Sequence, residues 1–164
     1  MDEDTLNDGA SEQLAQAAKT IKALGEFAKR LASTNMRQRA IVFEIDGLRY
    51  TSTKLAATVG LELLPRITAL FGSAFTRAMA TGDLGGISPD VFVRVADRAM
   101  RDGLWPLVRA LLERMEVNEL AGIKEPGNVL DDFDDHFAGE YMHLLRVCLF
   151  ALAHNFRGPA LGAS

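Results

Sequence analysis

Residues 141–153 constrain this chain more than any other segment, because His143 and Arg146 are the only polar breaks in that run. A helix with so little polar surface has to be covered on nearly every side, by the rest of the fold or by a partner. It is too short to cross a bilayer, which takes about 20 apolar residues. The chain must therefore gather its other elements around its own C-terminal end. The run has clear brackets. Asp131, Asp132, Asp134 and Asp135 lead into His136-Phe137-Ala138-Gly139, and Asn155-Phe156 closes it.

The remaining composition suits a single globular domain with an attached arm. The chain has 164 residues, 48% hydrophobic and 24% charged, with a net charge of −4. Chains of this make-up bury a core rather than stay disordered. The negative balance argues against a general polyanion binder. Cys148, the one cysteine, lies inside the apolar run and cannot form an internal disulfide. The acidic start Met1-Asp2-Glu3-Asp4 has the wrong charge for a secretory signal. Both points lead to the expectation of a reducing cytoplasm.

Periodicity divides the rest. Residues 1–10 read as a disordered acidic tail. Residues 11–38 read as an amphipathic basic helix arm, with Ser11 as its cap and Leu14, Ala18, Ile21, Leu24, Ala28 and Leu31 at helical spacing. Residues 39–157 form the main domain, and 158–164 a flexible tail. The domain opens with a period of two. Ile41, Phe43 and Ile45 alternate with Val42 and Glu44, and a second alternating run carries Leu48, Tyr50 and Ser52. Asp46-Gly47 between them is a strong hairpin signal, since both central residues of a type I′ turn need positive φ. Helical spacing returns at Leu55, Val59, Leu63, Ile67, Leu70, Phe71 and Phe75, with Pro65 predicting a kink or break near Leu64 and Gly72 marking a second candidate break. A loop over 81–86, a helix starting at Ser88-Pro89 with a Val91, Phe92, Val95, Ala96, Ala99 and Met100 stripe, and another helix from Leu104 to Met115 follow. The expected fold is mainly α (α+β): a helical bundle with one N-terminal β-hairpin around a buried C-terminal helix.

No residue pattern makes a convincing catalytic set. The Asp131–Asp135 cluster has oxygen ligands, but it lacks the glycine and final glutamate of a calcium loop. The better reading is an acidic first turn facing the positive end of the next helix. His143 and His154 lie eleven residues apart, so they share a helix face without touching. No Ser or Cys occupies a nucleophile motif, and Cys148 reads as a packed hydrophobe. The bases between Lys19 and Arg39 carry one aromatic, Phe27, and read as a solvated helix face rather than a nucleic-acid surface. No metal and no cofactor is expected.

The order of the hairpin Phe43-Glu44-Ile45-Asp46-Gly47-Leu48-Arg49-Tyr50, the helical Leu63-Leu64-Pro65 segment, His136-Phe137-Ala138-Gly139, the apolar helix and Asn155-Phe156 resembles the small tail assembly chaperones of long-tailed bacteriophages. The resemblance spans about Ile41 to Phe156. It marks Asp46, Gly47, Leu64, Pro65, His136, Phe137, Gly139, Asn155 and Phe156 as motif positions. It implies a non-enzymatic, mostly helical protein that binds the helical tape-measure protein and solubilises it during tail morphogenesis. It further implies action in the host cell cytoplasm and absence from the mature virion. The residues themselves lead to the expectation of no membrane partner and of self-association, with the hairpin adding to the hairpin of another copy. The line from Leu55 to Phe75 is the expected partner-binding face, with an amphipathic helix lying between it and the C-terminal helix. A structural baseplate or tail-completion protein and a nucleic-acid-binding regulator are the alternative readings.

Overall fold

The computed structural model describes residues 3–33, 39–81 and 103–156, together with residues 90, 93, 94, 97, 98 and 101. Strands β1 (Ala40–Ile45) and β2 (Leu48–Thr53) pair antiparallel, with Phe43 opposite Tyr50 and Ile41 opposite Ser52. Asp46 and Gly47 connect them at φ 50° and 81°, the two positive values that a type I′ turn demands. Ile41, Phe43, Ile45, Tyr50 and Ser52 point inward, while Val42, Glu44 and Arg49 point to solvent.

The hairpin is not solitary, and this corrects the expected fold class. Strand β3 (Met115–Val117) pairs antiparallel with β2, and β4 (Gly127–Asn128) pairs antiparallel with β3. The result is a four-stranded antiparallel sheet in the order β1-β2-β3-β4. Two pairs of strands fall in the middle of the chain with helices before, between and after them, so the fold is mixed α+β and not a bundle carrying one N-terminal hairpin. A hairpin alone is marginal in water, and here β3 extends it on one side while the N-terminal and C-terminal helices pack on its inner face through Phe27 and Phe150. Met115, expected to end a helix, instead begins β3, with Met115 and Val117 buried and Glu116 exposed.

Five helices are defined among the described residues: α1 (Glu3–Ser33), α2 (Ala57–Thr81), α3 (Trp105–Leu112), α4 (Phe133–His136) and α5 (Tyr141–Phe156). Helix α5 packs on the inner face of the sheet, and α1, α2 and α3 close around it. This arrangement meets the demand its sequence made: His143, Leu145 and every residue from Val147 to His154 are buried. Each large aliphatic side chain so placed contributes about 1.5–3 kcal/mol of burial.

Helix α1 begins at Glu3, so residues 3–10 are helical where an irregular acidic lead was expected, and Ser11 lies inside the helix. The helix docks on the domain through Ala17, Thr20, Leu24 and Phe27, spaced three and four apart. Leu14, expected on the apolar stripe, is 41% exposed. Phe27 anchors the contact: its ring lies 5.7 Å from Phe43 and 4.7 Å from Phe150, joining α1, β1 and α5. In α2 the backbone leaves helical geometry at Gly72 (φ 79°, ψ 159°) and not at Pro65. The expected loop after Thr81, the Ser88-Pro89 start, the Val91–Met100 stripe and the tail over 158–164 lie outside the described residues.

Candidate functional site

Two sides of α5 carry the features that sequence alone left unassigned. The first is a chain of polar groups on the sheet side. The Ala121 N–H donates to His136 Nδ1 over 3.1 Å. His136 Nε2 lies 2.8 Å from the Tyr50 hydroxyl, which lies 2.7 Å from His143 Nε2. His143 Nδ1 lies 2.9 Å from an Asp46 carboxylate oxygen, and the Arg146 guanidinium reaches the same carboxylate at 3.0 and 3.2 Å.

One proton assignment satisfies every member. Because His136 Nδ1 accepts from a backbone N–H, its proton sits on Nε2 and is donated to the Tyr50 oxygen. Tyr50 then donates its own hydrogen to His143 Nε2, and His143 Nδ1–H donates to Asp46. The local environments follow this order. Burial, together with the Asp46 charge, drives the Tyr50 phenol well above its ordinary ionisation range. Burial, and secondarily His143, lowers the affinity of His136 for a second proton. The hydrogen bond from His143 holds Asp46 below the usual carboxylate range, with burial opposing and Arg146 assisting. The chain ties the β1–β2 turn, the sheet centre, α4 and α5 into one seam. It also holds Ala121, a non-glycine residue at φ 51°.

A second polar tie closes the other end of α5. The Leu55 N–H donates to Asn155 Oδ1 over 2.8 Å, and Asn155 Nδ2 donates to the Ala151 carbonyl over 2.8 Å. His154 Nδ1 lies 3.1 Å from the Ser52 hydroxyl. So Asn155 fastens the β2–α2 connection to the end of α5. Phe156 lies against Gly60, where an added Cβ would meet its ring at 3.9 Å. Of the remaining bracket residues, Phe137 is buried and Gly139 turns the chain at φ 73°.

The second feature is apolar. Between α3 and α5 runs a groove of about 380 Å³ whose walls include Trp105, Val108, Leu111, Phe133, Tyr141 and Leu144. Trp105 and Tyr141 at its mouth are 49% and 69% exposed. The Trp105 ring meets Phe133 edge-on at 4.9 Å. Cys148 lines the floor, where burial pushes its thiol up to about 12. A second hollow shares Trp105 and Phe133 and is lined by Arg109, Asp131, Asp132, Asp134 and Asp135.

The expected partner face on α2 sits elsewhere. Leu63 and Ile67 are buried, and Leu55, Val59 and Leu70 pack half-buried against the core. The side chains of Phe71 and Phe75 lie outside the described ones. Leu64 is 40% exposed, and Pro65 also faces solvent. Sequence reasoning overlooked Tyr50 and Trp105. A tyrosine on the inward face of an alternating strand was the available signal for the first, since a buried phenol needs a polar partner. Trp105 gave no signal of its own, because its spacing is that of any core-facing helical residue.

Residues 46–159 match the model of the family described as phage tail assembly chaperone protein, TAC. No curated protein and no solved structure matches the chain. The matched span begins at Asp46, the first residue of the polar chain, and takes in all its other members and both hollows. The chain belongs to the phage tail assembly chaperone family, and its role lies in building the tail.

Proposed function

We propose that this protein binds helical segments of the tape-measure protein during tail morphogenesis, keeps their apolar faces out of water until tail-tube subunits replace it, and does so without catalysing a reaction. The observation that carries this reading is the groove between α3 and α5, an apolar trough with exposed aromatic residues at its mouth. An amphipathic helix presents a stripe of the matching kind, and helix-in-groove capture is a recurrent way of recognising such segments. The α2 stripe offers less, because its described members are engaged in the core. The setting is the host cell cytoplasm, with the chaperone leaving before the virion is complete. Copies associate with each other through β1, a six-residue edge strand.

Co-expression with fragments of the tape-measure protein from the same phage tests the proposal. The expected result is that fragments insoluble alone become soluble and co-purify with this chain. Fragments equally soluble with and without it would refute the reading. Mass spectrometry of purified virions checks the departure step, which fails if the protein is present in stoichiometric amounts.

A further inference from the structure

We infer that the α3–α5 groove is polarised and selects an amphipathic helix that carries a cluster of lysine or arginine at the end lying over α4. The inference rests on the tape-measure reading for its biological partner, but its chemistry stands on the groove itself. The trough is lined almost wholly by apolar side chains. At Trp105 and Phe133, which line both, it adjoins the hollow bounded by Asp131, Asp132, Asp134 and Asp135, all four exposed. Arg109 is the one base among the described residues lining that hollow. The two hollows share Trp105 and Phe133, so a helix lying in the trough reaches the carboxylates with its end.

Charge complementarity therefore decides the occupant. A helix with an apolar stripe and an acidic end meets four exposed carboxylates against the single base Arg109 among the described lining residues, whereas a basic end is attracted to them and to the field they jointly create. Polarity also fixes direction. A bound helix points its C-terminus at the aspartates less favourably than its N-terminus, because its dipole places negative charge at the C-terminal end, unless bases there reverse the sign. Trp105 serves both halves of the site. Its indole walls the apolar trough and stands at the start of the acidic rim, where a guanidinium or ammonium lies over its face.

The test uses the full chain and three synthetic helical peptides with one shared apolar stripe and a basic, neutral or acidic cluster at one end. Calorimetric titration is expected to give about tenfold tighter binding for the basic peptide than for the neutral one, a preference that fades as salt rises. In a variant carrying Asp131→Asn, Asp132→Asn, Asp134→Asn and Asp135→Asn, the basic peptide is expected to fall to the affinity of the neutral peptide, which itself stays unchanged. Trp105→Ala is expected to weaken all three. Equal affinity for the three peptides, or a preference that survives the fourfold variant, would overturn the inference. So would sedimentation showing that Trp105→Ala dissolves a dimer of this chain, which makes the groove a self-interface. A tape-measure fragment that binds both variants as well as the parent protein also overturns it while leaving the chaperone reading intact. Conversely, peptide selection without any binding of tape-measure fragments supports the groove and refutes that partner.

Discussion

The two sides of α5 are built on opposite terms. Toward the sheet, Tyr50, His136, His143 and Asp46 satisfy one another, and each geometry depends on the next. Toward α3, the walls are aliphatic and aromatic, and the space between them is open. Among the described residues, no buried side-chain nitrogen or oxygen lacks a partner. A satisfied polar network is directional, so it fixes how α5 and α4 sit on the sheet. An apolar wall accepts any surface of suitable shape, so it suits a partner whose sequence varies along its length. One side is closed by its own hydrogen bonds, and the other is an open space walled by apolar groups.

Cys148 probes the boundary between them and carries the largest expected effect. With its thiol pushed up to about 12, native labelling at pH 8 should run slower than for a free thiol by a factor on the order of a thousand. Ellman-type kinetics measure this. Fast labelling of the folded protein would mean that the groove opens through to the core, and the contrast would dissolve.

Tyr50→Phe strikes the polar side alone. It removes one oxygen and leaves His143 Nε2 and the His136 Nε2–H without their partner, at a cost of about 2–4 kcal/mol in urea unfolding. Peptide binding in the groove should not change once the protein is folded. A loss below about 0.5 kcal/mol would show that the seam does not lock the fold.

Acid should act on the same side with a smaller effect. Unfolded, His136 takes up its second proton near its ordinary 6.5; folded, it does so only at lower pH. Between those values the unfolded chain holds the extra proton. Stability is therefore full above about pH 6.5, falls as pH drops through that window, and levels once the folded form protonates as well. Asp46 adds a separate loss at lower pH. Its folded affinity for a proton is reduced relative to its ordinary 3.8, so its contribution is present above that value and disappears as acid protonates the folded carboxylate. Unfolding curves recorded from pH 7 to pH 3 should show the first step, and His136→Gln should remove it.

Asp46→Asn should be milder still, about 1 kcal/mol or less. Asn-Gly keeps the type I′ turn, and the amide oxygen still accepts from His143, so only the ion pair with Arg146 is lost. A much larger loss by thermal melting would mean that the carboxylate charge, not the hydrogen bond, orients His143.

The hairpin, its Asp46-Gly47 turn and the burial of α5 were legible because each is written in local spacing: period two, two adjacent turn residues, and an apolar run with few breaks. Strands β3 and β4 were not. At three and two residues they are shorter than any period can reveal, and Met115 continues the helical spacing of α3. The bracket motifs were visible as residues, but not as a circuit. His136 and His143 meet at Tyr50, 86 and 93 positions away, and Leu55 meets Asn155 across 100.

The sequence by itself therefore determined that a hairpin would form, that the last helix would be covered, and which family motifs bracket it. Those outcomes follow from backbone preference and from hydrophobic burial, both of which act over a few neighbouring residues. Only the tertiary structure decided which elements cover α5, which stripe stays open, and which polar groups complete one another. Those choices depend on contacts between distant segments, where directional hydrogen bonds and shape select one arrangement from many that the same apolar pattern permits.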